Sequence, residues 1–358
     1  GKGDKVAICM GNSVEMLECM FGAVRAGACV VPLSGFLTGT QLANLISDSG
    51  AQTVFASAEF RDRLDDARAD MDVSLRVAHG FGGDGWEILA KLTDGAAKTP
   101  PNVRYDLTDD FNIIYSSGTT GLPKGIVQTH RARLHWAFSN ATEMGYTAEA
   151  RALTTTALYS NGTWLTMLPC LFSGGTLHVM ETFDAGAFLK TVQDHRITHT
   201  FMVPPQFTMV LDRPELSGTD LSSLTCVLCA GSPLRRELKR AAMERLSPRL
   251  FELYGFSEGF ATMLRPHQHE NKFETVGTPV LGFEVRILDD GGEVPPGIPG
   301  EIAGYGAGNM KEYHDRPDLT AELIWRDERG RSFIRSGDVG ALDEDGYLTI
   351  LDRKKDMI

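Results

Sequence analysis

The first sixty residues alternate short apolar runs with amphipathic stretches, and this rhythm constrains the fold more than any other feature. Lys5 to Met10, Cys29 to Leu33 and Gln52 to Ala56 read as strands, with helices over Val14 to Ala26 and Gly39 to Asp48 between them. Such repeats connect right-handedly into a parallel sheet covered on both faces. A second set follows, with strands at Thr176 to Met180, Thr200 to Val203, Leu224 to Cys229 and Arg249 to Leu253, and helices over Ala185 to His195 and Arg235 to Leu246. From about Val276 the pattern changes to short strands and glycine turns, such as Asp289-Asp290-Gly291-Gly292, which predicts an all-β module.

Between the two sets lies Tyr115-Ser116-Ser117-Gly118-Thr119-Thr120-Gly121-Leu122-Pro123-Lys124-Gly125. Its glycines let backbone N–H groups turn inward, its four hydroxyls are donors, and Lys124 adds a positive charge, which together suit a loop around a triphosphate. Apolar runs at Phe111 to Tyr115 and Ile126 to Gln128 read as strands that anchor both ends. The order does not fit the Walker pattern, whose Gly-Lys pair occurs here only at Gly1-Lys2. Composition alone also fits a flexible surface loop.

The ordered string Ser116 to Gly125 resembles the signature of the adenylate-forming superfamily, which includes acyl-CoA and aryl-CoA synthetases, luciferases and peptide-synthetase adenylation domains. Three further segments resemble that family in the same order. Glu252-Leu253-Tyr254-Gly255-Phe256-Ser257-Glu258-Gly259 is similar to its adenine and magnesium motif, Ser336-Gly337-Asp338-Val339-Gly340 to its ribose motif, and Asp352-Arg353-Lys354-Lys355-Asp356 to its hinge. Ala230-Gly231-Ser232-Pro233-Leu234 resembles the segment lining the other side of the adenine.

The resemblance implies roles residue by residue. Ser116, Ser117, Gly118, Thr119, Thr120, Gly121 and Lys124 would cradle ATP. Gly231, Ser232, Pro233, Tyr254, Gly255 and Ser257 would flank the base, Asp338 would accept from the ribose hydroxyls, and Arg353 would lie near ribose and phosphate. Lys124, Thr120 and Glu258 would be catalytic, with Glu258 holding Mg²⁺ and Lys355 at the pivot. The implied fold class is α/β, with two βα-layered subdomains of parallel-rich sheets plus a small distorted β-barrel. The corresponding boundaries are about 1–155, 156–270 and 271–351, with the hinge at 352–358. The family also carries an earlier segment and a C-terminal domain that supplies an adenylation lysine. The expectation is therefore the N-terminal body of a longer enzyme.

Leu158 to Trp164 occupies the place of a family segment that lines the acyl pocket. Tyr159, Ser160, Trp164 and Phe256 are its candidate residues, and Phe201, Met202, Phe207 and Phe260 are further apolar ones, with Phe201 and Met202 better read as core. Amino-acid-activating relatives carry an aspartate where Ser160 stands. An ammonium buried without a carboxylate is costly, so an aliphatic or aryl acid is expected. The histidine that many relatives carry after the aromatic residue is absent. The expected activity is ATP-dependent ligation of a fatty or aryl carboxylic acid to CoA, with ATP, Mg²⁺ and CoA required. Two alternatives stay open: transfer of the acyl adenylate to a carrier protein, and a nucleotide-binding module without turnover.

Charge and cysteine usage agree with this reading. The 358 residues carry 35 Lys and Arg against 47 Asp and Glu, a formal charge of −12 without a dominant basic cluster, which argues against nucleic acid as partner. No apolar run approaches a membrane span and no signal core opens the chain, so a soluble cytoplasmic protein is expected. Cys9, Cys19, Cys29 and Cys170 read as buried thiols, and Cys226-Val227-Leu228-Cys229 reads as a core strand rather than a redox site. His267-Gln268-His269 reads as an exposed polar turn. Gly80-Phe81-Gly82-Gly83-Asp84-Gly85 imitates a dinucleotide turn, but the helix expected after it, Trp86 to Leu92, is short, so a surface turn is the better reading.

Overall fold

A computed structural model describes residues 1–116 and 123–353, with Arg353 described by its backbone. The chain folds as two compact units, the first comprising Gly1–Arg133, Ala157–Asn161 and Met310–Pro317, and the second the remainder.

The first unit is built on an eight-stranded sheet. In spatial order its strands are Glu312–Tyr313, Lys124–Thr129, Asp110–Ser116, Cys29–Pro32, Lys5–Cys9, Thr53–Ser57, Leu75–His79 and Glu87–Ile88. Six are parallel, as the strand–helix rhythm predicts, and two antiparallel strands extend the edge that carries Lys124. Helix Val14–Arg25 starts where the Ser13 side chain accepts from the Met16 N–H at 3.0 Å, a cap worth about 1 kcal/mol. It buries Met16, Cys19, Met20 and Val24 along one stripe. Helix Gly39–Ser49 begins with a reciprocal Thr38–Gln41 capping box and ends at Gly50, whose φ of 70° needs no Cβ.

The second unit carries two sheets. Five parallel strands run in the order Leu250–Gly255, Cys226–Cys229, His199–Met202, Arg151–Thr154 and Thr176–Val179, and Ala261–Leu264 and Thr278–Pro279 extend them antiparallel. The β module is a six-stranded antiparallel sheet of Gly292–Glu293, Phe283–Asp289, Gly300–Gly306, Ser332–Leu342, Ile324–Arg326 and Leu348–Arg353. The long strand Ser332–Leu342 pairs with Ile324–Arg326 through its first half and with Leu348–Arg353 through its second. A shared core of Phe201, Phe260, Met263, Phe283 and Ile302 joins these sheets. Phe260 lies so close to Gly304 that a Cβ there would fall 2.0 Å from its Cγ.

Two sequence expectations are corrected here. Trp86 to Leu92 is not one helix: Glu87–Ile88 forms a parallel strand against Val77 and Ala78, and the helix is Leu89–Thr93. The backbone groups of the sheet edge capture the residues after the glycine turn, leaving the turn itself largely exposed. His269 is not exposed but 3% accessible, its Nε2 donating to the Leu250 carbonyl at 2.9 Å. All six cysteines are free and buried, and burial pushes the thiols of Cys9 and Cys29 up to about 12.

Candidate active site

In the second unit, parallel strands Cys226–Cys229 and Leu250–Gly255 end side by side, and a cavity of about 520 Å³ opens beyond their carboxyl ends. This is where open parallel sheets place ligands. After the first strand the chain turns at Gly231, whose φ of 94° an L side chain rarely adopts, and Gly231, Ser232 and Pro233 form one wall. The second strand delivers Tyr254, Gly255 and Phe256 to another.

The β module supplies Asp338. Its backbone N–H donates to Ser336 Oγ at 3.0 Å, and that hydroxyl donates to the Ile302 carbonyl at 2.9 Å, so the turn is tied to the neighbouring strand. Tyr254 Oη donates to Asp338 Oδ2 at 2.8 Å across the cavity. A carboxylate has about four lone-pair positions, so Asp338 can keep this bond and accept from a diol as well. Asp338 faces Arg353 in the antiparallel register of its strand pair.

Among the charged residues that line the same cavity, Lys239 and Glu252 form a buried pair without an expected role. Lys239 is 3% accessible and its Nζ lies 2.6 Å from Glu252 Oε2. It also donates to the Phe273 carbonyl at 2.6 Å and sits 4.6 Å from the Phe273 ring centroid. Burial raises the Glu252 carboxyl above the usual carboxylate range, against the attraction of Lys239. A signal was present: Lys239, Ala242 and Leu246 fall at i, i+3 and i+7, one buried stripe of a helix whose other residues are mostly charged.

In the first unit, Ser116 and Lys124 form the last pair of the antiparallel hairpin that closes the hydroxyl-rich loop. Ser117, Gly118, Thr119, Thr120 and Gly121 lie outside the described residues, as does Lys355. Tyr115 anchors the first arm, its Oη donating to Asp48 Oδ2 at 2.7 Å. Burial, then that hydrogen bond, raises its phenol well above the ordinary tyrosine range. Arg316 pairs with the other oxygen of Asp48 at 2.8 Å.

The remaining expected residues are more dispersed. Ser257 and Glu258 follow in a turn closed by the Gly259 N–H to the Phe256 carbonyl at 3.3 Å, half-buried and outside the cavity lining. Tyr159 and Ser160 are half-buried in the first unit, where the Ser160 N–H donates to the Ala157 carbonyl at 2.9 Å. Trp164 belongs to the second unit and is 2% accessible at the start of helix Trp164–Phe172. Phe201, Met202, Phe207 and Phe260 are buried, whereas Phe256 borders the cavity beside Tyr254 and stands edge-on to Phe260 at 5.2 Å. No group of three or more His, Cys, Asp or Glu forms a metal cage among the described residues.

Comparison with known proteins gives the family of the chain. The family described as AMP-binding enzyme matches residues 1–314. A feruloyl-CoA synthase from an Amycolatopsis species is 35% identical over 99% of this chain and 70% of its own length. The long-chain-fatty-acid–CoA ligase FadD13 of Mycobacterium tuberculosis is 30% identical over 100% of this chain and 70% of its own. The inhibitor-bound N-terminal domain of FACL13 from the same organism superposes with a TM-score of 0.89 at 28% identity, over 99% of this chain and 87% of that structure.

Proposed function

The chain belongs to the AMP-binding enzyme family, and from that premise we propose that it serves ATP-dependent ligation of a carboxylic acid to CoA. A carboxylate oxygen attacks the α-phosphorus of ATP, the bond to pyrophosphate breaks, and an acyl adenylate forms. The thiol of CoA then attacks the acyl carbon, losing its proton, and AMP departs. The observation that carries this reading is the convergence of Tyr254, Asp338 and the Gly231–Pro233 turn on one cavity at the ends of parallel strands. An aromatic face suits a purine and an ionised carboxylate suits a ribose diol.

Lys124, held at the loop's second root, would meet the charge that builds on the transferring phosphoryl group and on pyrophosphate. Thr120 and the other loop residues would donate to the same oxygens. Bound Mg²⁺ supplies further positive charge there, and Glu258 with the phosphate oxygens would hold it. The relatives' names point to aryl and long-chain aliphatic acids, and the absence of a carboxylate at Ser160 speaks against an amino acid. A cytoplasmic location fits such substrates, and no helix among the described residues is long and apolar enough to cross a membrane.

The test is ATP/pyrophosphate exchange by the full-length protein with separate pools of aliphatic, aryl and amino acids. Exchange with an aliphatic or aryl pool, followed by thioester formation when CoA is added, is expected. Lys124→Ala and Glu258→Ala should each slow single-turnover adenylation by about a hundredfold, the loss typical of one preorganised charge-stabilising group. Mg-ATP binding without exchange in any pool would overturn the reading.

A further inference from the structure

The two-residue edge strand Glu312–Tyr313 pairs antiparallel with Lys124–Thr129, placing Tyr313 opposite Ile126. The His314 N–H donates to the Gly125 carbonyl at 2.7 Å and the Lys311 N–H to the Val127 carbonyl at 2.9 Å, which fixes this register. Side chains two apart on a strand share a face, so Lys124 and Tyr313 are diagonal neighbours. The Lys124 Nζ lies 4.9 Å from the Tyr313 ring centroid, and Tyr313 is 4% accessible. Gly125 permits this approach, because a Cβ there would meet Ile113 Cγ2 at 2.9 Å and His314 Cβ at 3.2 Å.

The neighbour that the structure places against the Lys124 ammonium is an aromatic ring. That choice of neighbour has a chemical consequence. A carboxylate beside Lys124 would hold the ammonium but cancel the charge a phosphate needs, whereas an aromatic face attracts the cation through its quadrupole and leaves that charge in place. We infer that Tyr313 is a positioning residue, orienting the Lys124 ammonium for the phosphates before nucleotide arrives. The inference rests on the phosphate-loop reading of Lys124.

The experiment measures binding of Mg-ATP and of adenosine to the full-length protein by calorimetry, for wild type, Tyr313→Phe, Tyr313→Leu, Lys124→Ala and the Tyr313→Leu/Lys124→Ala pair. Tyr313→Phe should keep ATP affinity within about twofold, and Tyr313→Leu should lose roughly tenfold, within the span of partly desolvated cation–π contacts. Adenosine affinity should not move. The double variant should bind ATP no more weakly than Lys124→Ala alone. Equal losses for ATP and adenosine, or losses that multiply in the double variant, would overturn the inference while leaving Lys124 its role. An unchanged ATP affinity in Lys124→Ala would overturn both. Should the leucine variant not fold, Tyr313→Met, whose unbranched side chain adapts to the same space, answers the same question.

Discussion

Lys239→Met is expected to destabilise the protein by about 3–5 kcal/mol, because it removes one partner of a buried ion pair and strands the other. Lys239 is 3% accessible, and its Nζ sits 2.6 Å from a carboxylate whose side chain is 11% exposed, so little water can replace the ammonium. Against a typical folding stability of about 5–15 kcal/mol, the loss is large enough to shift a urea midpoint clearly. Its pH dependence has a definite sign. Burial already raises the Glu252 carboxyl, and losing Lys239 raises it further. The folded state then binds more protons than the unfolded state above the ordinary glutamate pKa. Measured against wild type, the deficit should therefore grow as pH rises from the wild-type folded pKa of Glu252 to that of the variant, by up to about 1.4 kcal/mol per unit, and shrink on acidification through the same window. Lys239→Met/Glu252→Leu should recover to within about 2 kcal/mol of wild type, since an apolar pair of similar volume often replaces a buried ion pair at little cost. Urea denaturation of wild type and both variants at pH 5 and pH 8 is the assay. A Lys239→Met loss below about 1 kcal/mol at pH 8, or a deficit that grows on acidification, would refute the reasoning.

Two further outcomes follow from the packing. His199 is neutral in the fold, its Nε2 donating to the Met144 carbonyl at 3.1 Å and its Nδ1 accepting from the Thr198 hydroxyl at 2.7 Å, and burial lowers its pKa to about 4. The unfolded chain binds more protons between that value and about 6.5, so stability should fall by up to about 3 kcal/mol as pH drops through this window, and His199→Gln should flatten the slope of urea midpoint against pH. Gly304→Ala should cost about 1–3 kcal/mol by forcing a methyl against Phe260, and Phe260→Leu should be partly compensating in the same background; thermal denaturation showing additive losses would contradict that contact.

Regular elements were legible where hydrophobic period alone decides them. Helix Ala185–His195 matches its sequence reading end for end, because an Asp184 cap and an apolar stripe of Phe188, Leu189 and Val192 coincide. Tyr254 and Asp338, named from motifs, meet through one hydrogen bond that no spacing in the sequence could announce, since they are 84 residues apart. Two-residue strands such as Glu87–Ile88 and Glu312–Tyr313 have no period to read; unpaired backbone groups on a neighbouring strand create them. Phe256, a candidate acyl-pocket residue, borders the cavity that Tyr254 lines, a placement that follows from its position directly after the strand Leu250–Gly255. A lysine in a charged helix such as Arg236–Arg245 reads as solvated, and only the register of Lys239 with Ala242 and Leu246 shows otherwise.

The late return of Met310–Pro317 to the first unit bears on how the protein is made. Val127 reaches the end of the ribosomal tunnel long before Glu312, its strand partner, has been polymerised. At about 5–20 residues per second the interval is roughly ten to forty seconds. Throughout it, the nascent first unit presents an unpaired strand edge around Ile126 and Val127, the kind of edge that recruits other chains. Cutting the gene at the end of the first stretch would make that transient exposure permanent, so expression of residues 1–133 alone should yield aggregate, and adding a peptide covering residues 310–317 should suppress it.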